Sequence, residues 1–177
     1  MRDAKTDRGA NQPGQNYFGF SEATTAPLPG DLHPLNPSDP NGRICLFAAH
    51  IRKVQPRDDG TDIGPMERTF QKLILRRGIT FGPEMDEPAA DRGLLFVAFQ
   101  TSIMDQFEFL MNDWVNDPNK PQSGGGVDPI ISSARDHMIH FYDGVSSHPL
   151  TIPGGWVVAT GGEYLFTPGI SFFSNVL

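Results

Sequence analysis

Histidines come first, because a neutral imidazole can ligate a metal, accept a proton or pass one on. The chain has five: His33, His50, His137, His140 and His148. His137 and His140 form an HxxH pair in "ARDHMIHFYDG", but no second pair stands at the spacing of a zinc site, so ordinary packed or surface histidines are the simpler reading. His33 and His148 each precede a proline and belong to loops. His50 is different. In "CLFAAHIRKVQPR" it closes a small, apolar run and is followed at once by Arg52, Lys53 and Arg57. Arg68, Lys72, Arg76 and Arg77 extend that concentration of cations to position 77. In an acidic chain such a cluster is either a solvated surface or a place that handles a small anion. Cys45 is the lone cysteine, which excludes an internal disulfide; in an apolar run it reads as packing before it reads as a nucleophile. There is no G-x-S-x-G, no phosphate loop and no dinucleotide fingerprint, and "SGGGV" is a turn without the lysine a phosphate loop needs.

These side chains need elements to hold them. Residues 1–16 are polar, without the apolar core of a signal peptide, and are expected to form a flexible leader before a single domain over 17–177. Five prolines between Ala26 and Pro40 exclude a helix or a central strand there. Residues 55–66 and 83–93 are loop-like, and a strand is expected around Leu73–Ile79. "LLFVAFQ" (94–100) is a continuous apolar run and predicts a buried strand, with Leu94, Phe96 and Ala98 on one face and Leu95, Val97 and Phe99 on the other. "SIMDQFEFLMNDWVND" (102–117) predicts an amphipathic helix: Ser102 as N-cap, Asp105 in the first turn, and an apolar stripe of Ile103, Phe107, Leu110, Met111 and Trp114. The stretch 154–169 predicts two short strands about a Gly-Gly turn. Strands and a helix without a βαβ rhythm give the class α+β, with an antiparallel sheet.

Composition narrows the function further. With 21 acidic against 14 basic residues and a net charge of −7, the chain lacks the basic footprint of a general nucleic-acid binder. No apolar run reaches the length of a membrane span, so no membrane span is expected. The compartment stays open between the cytoplasm and export through a partner or processing.

Several stretches, in order, resemble the dye-decolorising peroxidases, a family of haem enzymes. "CLFAAHIRKVQPR" resembles the family's proximal segment, "LILRRGITFG" the segment with its distal arginine, "RGLLFVAFQTSIMDQFEFLMNDWVND" the strand and helix that follow, and "GGEYLFTPG" the closing strand. The resemblance runs from about Tyr17 to the end. It implies a ferredoxin-like domain of the dimeric α+β barrel type, haem b (iron protoporphyrin IX) as cofactor, and hydrogen peroxide and an organic reductant as substrates. It implies that His50 is the axial iron ligand and Arg76 the distal arginine, with Arg77 as the alternative register. Leu94 and Phe96 would line the distal pocket, admitting peroxide but not a bulky dye. Ile103 and Phe107 would pack near the porphyrin, and Arg52 would partner a propionate. An acid or carbonyl must hold the other nitrogen of His50, and Asp128 in "GVDP" is one candidate. Trp114, Trp156, Tyr142 and Tyr164 are redox-capable, though each also suits a structural place.

Two departures qualify the resemblance. The family's GxxDG motif corresponds here to "YFGFSEATTAPLP", where Gly19, Phe20 and Pro27 match but Glu22 replaces the aspartate and Ala23 the following glycine. Glutamate can still shuttle a proton, from one methylene further out, while Ala23 restricts the backbone. A haem-binding or structural subunit with altered or no peroxide chemistry is the second reading. The family also places a ferredoxin-like half before GxxDG. That predicts a complementary N-terminal chain as partner, in a hetero-oligomer.

Overall fold

The computed structural model describes residues 19–21, 39–84, 91–143 and 145–176. The leader expected over 1–16 and the candidate shuttle Glu22 lie outside them. The first helix, α1 (His50–Val54), stops at Gln55, the residue before Pro56, where the proline ring disfavours helical backbone. A second short helix, α2 (Met66–Phe70), starts directly after Pro65 and carries Glu67 in its first turn.

Strands β1 (Leu75–Phe81) and β2 (Gly93–Phe99) pair antiparallel, from Leu75 opposite Phe99 to Phe81 opposite Gly93. Both strands fall where the sequence predicts them, and β2 alternates as expected. Its burial is not as expected. Leu94, Leu95 and Phe96 are 54%, 58% and 45% exposed. The reason is architectural: β1 and β2 form a two-stranded ribbon with no third strand beside it, and only single side chains such as Phe107 reach it from the π-helix.

The helix predicted over 102–117 is present and starts as read: the Ser102 hydroxyl accepts from the Asp105 amide at 3.1 Å. It is wound as a π-helix, in two runs, Ile103–Glu108 and Leu110–Val115, joined at Phe109. Bonding five residues back instead of four shifts the apolar stripe. The buried side chains are Gln106, Leu110, Trp114 and Val115, while Ile103, Phe107 and Met111 are half-buried. Leu110, Trp114 and Val115 join Val54 of α1 in the core, with Ile63, Ile74, Phe109 and Ile131 at its edge. The Trp114 indole N–H donates to Asp62 Oδ1 at 2.9 Å, so its one polar atom is satisfied on burial.

A second antiparallel ribbon, β3 (Asp136–Tyr142) with β4 (Ser147–Pro153), contains the HxxH stretch. The sequence reading missed this hairpin. His137 and Ile139 point inward while Asp136 and Met138 point out, so a histidine stands where the pattern needs an apolar residue. The strands expected over 154–169 do not form; that stretch has no strand pairing and leads into α3 (Ile170–Val176). The class is α+β with antiparallel pairing, distributed among the described residues over two ribbons. No helix among the described residues is long and apolar enough to cross a membrane.

Candidate functional site

His50, the first residue of α1, has its Nδ1 2.7 Å from Asp128 Oδ2. Asp128 is fully buried, and its other oxygen accepts from the amides of Ile130 at 2.8 Å and Ile131 at 3.2 Å. The Asp128 amide donates in turn to Val115 O at 2.9 Å, which ties the carboxylate to the end of the π-helix. A carboxylate held this way is an acceptor, so in the neutral ring His50 Nδ1 carries the hydrogen and the lone pair falls on Nε2. The His50 side chain is 33% exposed, open on one side and fixed on the other.

Two buried cations build the surroundings. Lys53, one turn along α1, is 1% exposed. Its Nζ donates to Asp117 O and Gly126 O, both at 2.8 Å, and to Lys120 O. That holds the strap 117–126, which delivers Asp128. Burial pulls the Lys53 amine down to about 8, against the opposing charges of Asp128 and Asp117. Arg52 is 0% exposed. Its Nη1 donates to Asp39 O and Cys45 O at 3.0 Å, and its Nε to Gln122 Oε1 at 3.2 Å. Its guanidinium lies between the rings of Phe20 and Phe47, 4.4 and 4.3 Å from their centroids. Arg52, the expected partner of a propionate, here faces the carboxylates of Asp39 and Asp59. Burial also raises the Cys45 thiol above its ordinary value, Arg52 opposing, so Cys45 is a packing residue and not an activated nucleophile.

Gly19–Ser21, just before Glu22, is fixed from the same side. Asp58 accepts from the amides of Phe20 at 2.8 Å and Ser21 at 3.1 Å. A Cβ on Gly19 would come within 2.8 Å of Asp58 Oδ2 and push on the carboxylate that these amides hold.

The β1–β2 register sorts the remaining candidates. Arg76 pairs with Ala98, Gly78 with Phe96 and Thr80 with Leu94, and paired residues share a face. Arg76, Leu94 and Phe96 therefore lie on one face, and Arg77 lies on the other with Leu95 and Val97. Phe96 lies 6.3 Å from the Phe107 ring, and Phe107 lies 6.3 Å from Tyr164, edge-on. Burial, then a hydrogen bond to Glu108 and its charge, raise the Tyr164 phenol above its ordinary value. Phe96, Phe107 and Tyr164 thus form one run of rings, with Arg76 and Leu94 on the Phe96 face, two register positions to either side of it. Ile103 sits half-buried at the start of the π-helix. α1 packs on the π-helix and not on the β1–β2 ribbon, so His50 and Arg76 stand on separate elements.

The model of the Dyp-type peroxidase C-terminal domain matches residues 4–123. This chain belongs to the Dyp-type peroxidase family. It is 33% identical over 190 residues to the dye-decolorizing peroxidase msp1 of Mycetinis scorodonius, covering 95% of this chain and 33% of that one. It is 34% identical over 177 residues to the multifunctional dye peroxidase DyP2 of an Amycolatopsis species, covering 86% of this chain and 38% of that one. A deferrochelatase of Escherichia coli is 31% identical over 143 residues, covering 75% of this chain and 32% of that one. The chain therefore spans about a third of the length of these relatives. The crystal structure of a DyP-type peroxidase from Anabaena sp. superposes with a TM-score of 0.54 at 23% identity, covering 68% of this chain and 30% of that one, and shares its fold.

Proposed function

We propose that this Dyp-type chain carries the haem b site of a peroxidase that reduces hydrogen peroxide and oxidises an organic donor. The observation that carries the reading is the His50–Asp128 pair: an imidazole whose Nδ1–H is held by a buried carboxylate and whose Nε2 is left open. That donor set would suit a ligand to the haem iron, because a carboxylate behind the ring fixes its tautomer and strengthens Nε2 as a donor. When bound, the iron porphyrin supplies the redox chemistry. The chain's own residues orient and protect it. Asp128 holds the proton on Nδ1, and Lys53 holds the strap that brings Asp128. Arg76, permanently charged, would stabilise negative charge developing on a peroxide oxygen, on the ribbon face that also carries Leu94 and Phe96, which would limit access. Glu22 is the proton carrier in this reading. Arg52 is a positioning residue that braces the segment around His50.

The test is a haem titration of the full chain, alone and with the N-terminal portion of a relative added, followed by peroxide-dependent oxidation of a phenol. A Soret band with turnover is expected, and no band in either preparation overturns the reading. The non-catalytic alternative, favoured by Glu22 and Ala23 in place of Asp and Gly, predicts the band without turnover. Unchanged turnover in Glu22→Gln would remove the shuttle role alone.

A further inference from the structure

A strand at the edge of a sheet offers its outer N–H and C=O groups to a further strand, and charged side chains or prolines on the edge refuse that neighbour. The two ribbons have four outer edges, one for each strand. Three of them carry such residues. β1 has Arg76 and Arg77, β3 has Asp136 with His137 and His140, and β4 has Pro149 and Pro153, which lack an N–H. β2, "GLLFVAF", has no charge, no proline and no polar side chain over its seven residues. No third strand lies beside it, and among the described residues no hydrogen bond uses the outer side of Gly93–Phe99. Leu94, Leu95, Phe96 and Phe99 are each about half exposed.

The strand also fits itself. Turned antiparallel about Phe96, a second β2 sets Leu95 opposite Val97, Leu94 opposite Ala98, and the large Phe99 opposite Gly93, where no side chain competes. Each pair joins residues of one face. Leu94, Phe96 and Ala98 thus continue one apolar face across the junction, and Leu95 and Val97 the other. Roughly six to eight backbone hydrogen bonds close an antiparallel ladder of this length. β1 offers no such match: turned about Gly78, it brings two Arg77 side chains diagonally together on one face.

We propose that the outer edge of β2 is a docking surface for a second copy of this chain, joined β2 to β2 in antiparallel register about Phe96 into a four-stranded sheet. The contact uses the edge, leaves open the ribbon face that carries Arg76, and needs no haem, so it stands or falls separately from the peroxidase reading. The test is sedimentation equilibrium of the full chain at micromolar concentration, beside Leu95→Lys and Val97→Glu, each alone and the two mixed. The unsubstituted chain is expected at twice the mass of one chain. Each variant alone is expected at the mass of one chain, since two like charges then meet diagonally on one face. The equimolar mixture is expected to regain the doubled mass, because the new lysine of one chain stands opposite the new glutamate of the other. That recovery also requires both variants to be folded. A single-chain mass for the unsubstituted chain, assemblies larger than two copies, a dimer that either variant leaves intact, or a mixture that stays single-chain would overturn the proposal.

Discussion

Lys53 shows how far a residue's role can lie from its sequence context. It belongs to a basic run that reads as a solvated surface or an anion site, yet its ammonium sits among three backbone carbonyls of the strap 117–126. The charge is visible in the sequence; its acceptors are not, since Gly126 is 73 residues away. The partner of His50 is equally distant, 78 residues on, yet Asp128 in "GVDP" is the acid that the sequence offers as a candidate and the one that the structure places there. Lys53→Met would leave three buried or half-buried carbonyls without their donor. It should lower stability by about 2–3 kcal/mol in urea denaturation; a loss under ~0.5 kcal/mol would show that water replaces the amine. Asp128→Asn keeps the shape but removes the charge behind His50. It should weaken haem affinity roughly 10–100-fold in a spectral titration, with little change in fold by circular dichroism.

Element register sorts what single residues leave open. The family resemblance admits Arg76 or Arg77 as the distal cation, and adjacent strand residues occupy opposite faces. The antiparallel pairing puts Arg76 with Leu94 and Phe96, and Arg77 with Leu95 and Val97. Arg76→Ala should therefore slow the reaction with peroxide by ~10²–10³, whereas Arg77→Ala should stay within a few-fold, both read by stopped-flow absorption. Equal losses would mean that the ribbon's faces do not sort the two. The β3–β4 ribbon was illegible because histidines break its alternation, but its turn has a checkable signature. The Asp143 carboxyl is lowered to about 2 by the amides of Ser146 and Val145, and then by His148. A depressed carboxyl supports the fold fully above its unfolded value of 3.8 and loses that support as pH falls through about 2. Amide shifts of Val145 and Ser146 should thus titrate with a midpoint near 2, and a midpoint near 3.8 would contradict the geometry.

Over the whole chain, two regions contrast. Around α1 and the π-helix, apolar packing and buried cations enclose Trp114, Arg52 and Lys53. The β1–β2 ribbon instead shows apolar side chains on both faces, among them Ile79 at 58% exposed on one and Leu94 at 54% on the other. The apolar run that reads as a buried strand was identified correctly as a strand, because periodicity is local; its burial depends on what lies over it, which no local pattern encodes. Exposed apolar surface of this extent predicts that the full chain binds the dye ANS in its folded state, and that paired Ile79→Glu and Leu95→Lys substitutions reduce the signal. The central claim is that His50, braced by Asp128, is the residue that holds haem iron. Its most direct test is the absorption spectrum of haem-loaded His50→Gly with and without added imidazole. The Soret band of the unsubstituted chain is expected to be lost in His50→Gly and to return when imidazole is supplied; a band in His50→Gly indistinguishable from that of the unsubstituted chain, and indifferent to imidazole, would contradict His50 as the iron ligand.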